Sequence, residues 1–171
     1  MLRDDLVFLR ALEAEDLDFL YLIENDTALW TVSDTVTPLS RYALRQYLDN
    51  AAADIQEVRQ LRLVICAAAD SRPVGTIDLF DYQARHQRAG IGIALLPTER
   101  EQGYAQAALQ LMTTYAHATL HLHQLYCTIA IDNVRSVRLF EKVGFTRVGV
   151  RKHWLRTAGG WQDVVEYQCL V

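Results

Sequence analysis

The chain has 171 residues, 51% of them hydrophobic and 22% charged, with a formal net charge of −4. That size and balance suit one globular domain spanning residues 1–171 with a proper core. The acidic balance excludes the basic face that sequence-blind nucleic-acid binding needs, so no nucleic-acid partner is expected.

Residues 6–11 alternate apolar and polar, as a half-buried strand does. Residues 14–25 repeat apolar side chains at Leu17, Leu20 and Tyr21 behind the acids Glu15 and Asp16, the pattern of an amphipathic helix whose first turn suits its dipole. Residues 27–39 read as irregular, rich in Thr, Ser and Asp around Trp30 and stopped by Pro38. Ser40 caps a second helix that runs to about Asp54. Irregular segments between helices often carry substrate contacts. Trp30, Asp34, Tyr42 and Tyr47 are therefore candidates for an amine pocket, with ordinary packing or solvated surface as the plainer alternative.

Residues 61–69, 74–82 and 89–96 read as an antiparallel meander, in which Asp78 and Asp81 are carboxylates in an otherwise apolar strand. Residues 105–117 place Ala108, Leu111, Met112 and Tyr115 on one helical face. Residues 125–131 form a short apolar strand, parallel to 89–96 through a right-handed helical crossover. A helix over 134–143 ends at Gly144. Two last strands, 145–156 and 161–169, are joined by Thr157-Ala158-Gly159-Gly160.

No apolar run reaches membrane-spanning length, and residues 1–5 have no signal-peptide layout. Cys66, Cys127 and Cys169 are widely spaced in apolar runs and read as reduced, buried thiols, so a cytoplasmic location is expected. His117, His121 and His123 cluster at a helix end, but no carboxylate or cysteine completes a ligand set and no metal is expected.

Two stretches carry the chemistry. The turn Arg100-Glu101-Gln102-Gly103-Tyr104-Ala105 joins a strand to a helix. The first N–H groups of a helix lack internal partners and carry the positive end of its dipole, so a small-residue turn there lets an anion such as a diphosphate approach. No Gly-Lys-Ser/Thr ending follows, and Gly90-Ile91-Gly92 lacks the third glycine of a dinucleotide fingerprint. The second stretch is Asn133-Val134-Arg135-Ser136-Val137-Arg138-Leu139-Phe140-Glu141-Lys142-Val143-Gly144-Phe145.

The first stretch resembles the Arg/Gln-x-x-Gly-x-Gly/Ala turn of the GNAT acetyltransferases, and the second resembles their Asn-x-x-Ser/Ala-x-x-Leu-Tyr-Glu-Lys-x-Gly-Phe signature. The opening segment is similar to the branch of spermidine and ribosomal-protein N-acetyltransferases. The resemblance implies an α/β (α+β) fold with a mixed, mostly antiparallel sheet, splayed between the fourth and fifth strands and flanked by about four helices. It implies acetyl-CoA in the wedge, with backbone groups of Ile93, Ala94 and Leu95 on the pantetheine arm. Arg100, Glu101, Gln102, Gly103, Tyr104 and Ala105 would hold the pyrophosphate. Asn133 and Ser136 would contact the cofactor too, although either also serves as a helix N-cap.

The reaction implied is direct attack of a neutral primary amine on the thioester in a ternary complex. Phe140 stands where the family carries its proton-donating Tyr, so the acid must be another group; Tyr126, Tyr167 and Ser136 are the candidates. Asp81 is the candidate base, with an aspartate bonding its own loop as the plainer alternative. Trp30, Asp34 and Asp78 are candidates for the substrate side. The expected acceptor is a small amine or polyamine; a protein N-terminus and a non-catalytic acyl-CoA-binding sensor are the alternatives. A homodimer is expected from the resemblance and from the long final strands, which need a covered edge.

Overall fold

The computed structural model describes residues 2–33, 35–51 and 53–171. Its centre is one eight-stranded sheet, ordered β1-β2-β3-β4-β5-β6-β8-β7. The strands are β1 (Leu2–Arg3), β2 (Val7–Arg10), β3 (Leu61–Ala67), β4 (Pro73–Gln83), β5 (Arg88–Leu95), β6 (Gln124–Ala130), β7 (Thr146–Thr157) and β8 (Gly160–Leu170). Every pairing is antiparallel except β5 with β6. The helices are α1 (Leu17–Glu24), α2 (Thr27–Ser33), α3 (Arg41–Asp49), α4 (Ile55–Val58), α5 (Tyr104–Ala118) and α6 (Val134–Lys142).

The two faces of the sheet carry separate cores. Side chains alternate along a strand, so Leu63, Ile65, Ile91 and Leu95 face Ala108, Leu109 and Met112 of α5, together with Phe140 of α6. Burying Leu109 or Met112, both 0% exposed, contributes about 1.5–3 kcal/mol each. On the opposite face Val64 and Cys66 pack under Phe19, Leu20, Ile23, Leu29 and Leu44 of α1, α2 and α3.

Among the described residues six α-helices stand where about four were expected. Residues 27–33, expected to be irregular, form α2, because Asp26 accepts the Ala28 N–H at 2.9 Å and Leu29 finds a buried seat. The second expected helix ends early, at Asp49, where Asn50 turns its side chain back to the Gln46 carbonyl at 2.8 Å. Asp54 then starts the short α4 by accepting the Gln56 N–H. Gly144 ends α6 as expected, at φ +100°, with its N–H on the Glu141 carbonyl.

Asp16 ties β2 to α1. Its carboxylate accepts both terminal nitrogens of Arg10 at 2.7 Å and the Glu13 N–H at 2.8 Å, and its side chain is only 4% exposed. Burial alone would raise its pKa, but Arg10 and the Glu13 N–H outweigh burial and hold it below the usual carboxylate range. A carboxyl depressed on folding stabilises the protein above its unfolded pKa and loses that contribution as pH falls through the folded value. Asp16→Asn is expected to lower stability by about 2 kcal/mol at neutral pH, Arg10 being partly solvated. The same variant should flatten the acid side of the stability–pH curve, as read by urea unfolding at a series of pH values.

Candidate active site

The wedge opens where the parallel pair ends. The ladder joins Arg88–Gly90 of β5 to Gln124–Tyr126 of β6 and goes no further. Each strand stays paired on its outer side, β5 with β4 as far as Leu95 and β6 with β8 as far as Ala130. The inner edges of residues 91–95 and 127–130 therefore line a cleft of about 690 Å³. Buried backbone groups need partners, so this edge is built to bond an extended ligand. Ile93, Ala94 and Leu95 lie along it, as expected.

Arg100, Ala105, Asn133, Arg135 and Ser136 close one end of the cleft. Gly103, at φ +84°, enters α5 through a left-handed turn that suits glycine, and the first intrahelical bond runs from the Ala107 N–H to its carbonyl. The N–H groups of Tyr104, Ala105 and Gln106 thus have no helical partner. Arg100 makes no ion pair among the described residues. Glu101 pairs at 3.0 Å with Arg135 of α6, linking the turn to the second motif. Gln102 donates instead to the Thr98 carbonyl. The Asn133 side chain caps α6 by accepting the Ser136 N–H at 3.2 Å, so the capping role is filled while both residues still line the cleft. A helix start, a lone guanidinium and an unpaired strand edge fit the diphosphate and amide-bearing arm of acetyl-CoA.

The other half of the cleft is polar and lies on the α1–α3 side of the sheet. Asp81 sits in a bulge of β4: Phe80 pairs with Gly90 and Gln83 with Arg88, leaving Asp81 and Tyr82 opposite one residue. Asp81 takes φ +48°, which turns its carboxylate out of the strand and into the cleft. The Tyr126 hydroxyl donates to Asp81 Oδ2 at 3.5 Å, and the Phe80 and Tyr126 rings meet edge to face at 6.1 Å. Glu166 of β8 lines the same half, ion-paired at 2.5 Å with Arg151, beside Trp154 and with Leu29 of α2. No sequence motif marks Glu166, Arg151 and Trp154: Glu166 is half-buried between Val165 and Tyr167, and Arg151 and Trp154 are exposed on β7.

Other expected residues lie elsewhere. Asp78 does not line the cleft; it and Glu24 each pair at 2.5 Å with Arg62, on which Tyr47 also packs. Burial works against the Arg62 charge, but Asp78 and Glu24 outweigh it and raise its pKa. Trp30 donates to the Glu24 carbonyl and borders a neighbouring pocket with Trp154 and Asp132. Tyr42 is exposed on α3 with Gln46 as its partner. Asp34 lies outside the described residues. Of the acid candidates, Tyr167 is buried and donates to Glu141 at 2.9 Å. Ser136 stands at the turn end of the cleft, and Phe140 is buried edge to face on Phe145.

This fold and wedge define an acyl-CoA-dependent transferase. A family model described as Acetyltransferase (GNAT) domain matches residues 7–146, and the chain belongs to that family. It is an acetyl-CoA-dependent N-acetyltransferase. The spermidine N(1)-acetyltransferase of Vibrio cholerae is 26% identical over 156 residues, covering 91% of this chain and 88% of that protein. The putative ribosomal N-acetyltransferase YdaF of Bacillus subtilis is 27% identical over 152 residues, covering 89% and 76%. The crystal structure of the Vibrio cholerae spermidine N-acetyltransferase with CoA and spermine superposes with a TM-score of 0.88 at 24% identity, covering 98% of this chain and 96% of that one. Among the described residues no helix is long and apolar enough to cross a membrane.

Cys127 lines the cleft wall, yet it is no nucleophile: burial pushes its thiol up to about 12. Almost none of it is thiolate at neutral pH. Burial also raises Cys66 and Cys169. The native protein is expected to resist alkylation by iodoacetamide at pH 8 and to take up three labels once unfolded, read by mass spectrometry.

Proposed function

We propose that this enzyme acetylates a small primary amine of the polyamine class, such as spermidine. The observation that carries the reading is the Asp81 carboxylate, turned by a left-handed residue into the half of the cleft that also holds Glu166. With Glu166 paired to Arg151, Asp81 carries the uncompensated negative charge of this half, which favours a cationic acceptor over a neutral or acidic one. The similarity to a spermidine N(1)-acetyltransferase supports the same class. Phe80 and Trp154 add aromatic faces on which methylene segments and ammonium groups rest.

Acetyl-CoA supplies the activated acetyl thioester. The backbone of Ile93, Ala94 and Leu95 orients the pantetheine arm. Arg100 and the free N–H groups at the start of α5 hold the pyrophosphate, and Asn133 and Ser136 stand at the far wall. An alkylammonium has a pKa near 10, so only about a thousandth is neutral at pH 7. Asp81 takes up the proton that must leave before the nitrogen can attack. The exposed edge strand β7, with Val148 and Val150 on its surface, is the expected seam of a homodimer, checked by light scattering.

Acetyl transfer is tested by free-thiol release from acetyl-CoA with spermidine, spermine, putrescine and short N-terminal peptides. Turnover is expected with the polyamines; turnover with the peptides alone would overturn the polyamine reading in favour of protein N-termini. Arg100→Ala is expected to weaken CoA binding about tenfold by calorimetry, the loss of one charge-assisted contact.

A further inference from the structure

With Phe140 in place of a proton donor, the cleft needs another O–H. Tyr167, Ser136 and Tyr126 are the candidates. Tyr167 is on the core face and committed to Glu141. Ser136 is at the end that holds the anion-binding turn. Tyr126 lies at the apex of the splay, where it is the last β6 residue paired to β5. Its ring is held edge-on by Phe80, and its hydroxyl points at Asp81 Oδ2. Asp81 in turn adopts a positive φ, which aspartate tolerates better than most residues, and the bulge uses it to turn the carboxylate into the cleft.

We propose that Tyr126 and Asp81 form a proton couple that replaces the missing donor at position 140. This rests on the assignment of Asp81 as base made above. Asp81 first passes the ammonium proton on to solvent and is a carboxylate again when the neutral amine attacks; as the N–C bond forms and the C–S bond breaks, the second nitrogen proton passes to it. The Tyr126 hydroxyl gives its proton to the departing sulfur and receives the one that Asp81 holds. One proton has then moved from nitrogen to sulfur, and both side chains end as they began.

The charged groups around Tyr126 are Asp81 on β4, Arg88 on β5, Arg151 on β7 and Glu166 on β8, with neutral Gln168 opposite. Burial and the Asp81 charge raise the phenol above its usual pKa, against the pull of Arg88 and Arg151. Tyr126 thus stays protonated and able to donate throughout the neutral range.

The test uses the full chain and has two arms. Tyr126→Phe keeps the ring against Phe80 and removes only the hydroxyl. With acetyl-CoA and spermidine, its kcat is expected to fall about 100-fold, while the spermidine KM and the CoA Kd stay within about threefold of wild type. In the second arm, the tyrosinate absorbance of wild type minus that of Tyr126→Phe isolates the ionisation of Tyr126, with no acceptor or cofactor present. Asp81→Asn is expected to shift that ionisation to lower pH. Retention of kcat in Tyr126→Phe, collapse of its CoA binding, or a Tyr126 ionisation unmoved by Asp81→Asn would each overturn the couple. Failure of spermidine as an acceptor overturns the polyamine reading alone, because the absorbance arm does not depend on it.

Discussion

Everything in this structure depends on three residues of parallel ladder and on its stopping there. Past Gly90 and Tyr126 the strands β5 and β6 part, and the sheet becomes two half-sheets, β1 to β5 and β6-β8-β7. The gap is not held by bonds of its own. It is held because each strand is fully paired behind, and because α5 and α6 bridge the halves through one core that contains Ile91 and Leu95 from one side and Leu125, Cys127 and Ile129 from the other. Close packing makes that core resist closure of the wedge. A bulk-water edge would satisfy the open backbone groups, but so would an amide-bearing chain, and the latter is what the family binds.

The splay also divides the chemistry by face. The α5 side of the cleft is apolar, with Ile91, Cys127, Ile129 and Phe140. The opposite side carries Asp81, Tyr126, Glu166 and Arg151. Charge on that side is apportioned rather than spread. Arg62 pairs with both Glu24 and Asp78 away from the cleft, and Arg151 pairs with Glu166 in it. Of the two carboxylates on that side of the cleft among the described residues, Asp81 has the Tyr126 hydroxyl as its side-chain partner and Glu166 has a guanidinium. Geometry, and not acidity of composition, sets it apart from the other carboxylates.

The meander of three strands, the parallel crossover and the turn that enters α5 were legible in the sequence, because each has a local cause. Gly103 marks a left-handed helix start, Gly144 a helix end, and the apolar runs a buried strand. Other parts were not legible because their causes are non-local. Residues 27–39, rich in Thr, Ser and Asp, read as loop; the Asp26 cap is local, but the seat that Leu29 finds against α1 is not. Asp78 and Asp81 look alike in sequence, three residues apart on one strand. Arg62, sixteen residues away, claims the first, and a bulge turns out the second. Glu166 and Trp154 join the cleft only because the last hairpin folds back alongside β6.

The Phe80 ring lies where a side chain at position 90 would be: a Cβ on Gly90 would come within 2.2 Å of it. The two positions are one choice in evolutionary language. A larger residue at 90 is accessible only after 80 has shrunk, and a smaller residue at 80 leaves an unfilled hollow beside Tyr126 until 90 grows. Neither single step is neutral, so the apex of the wedge resists change at one position without a matching change at the other.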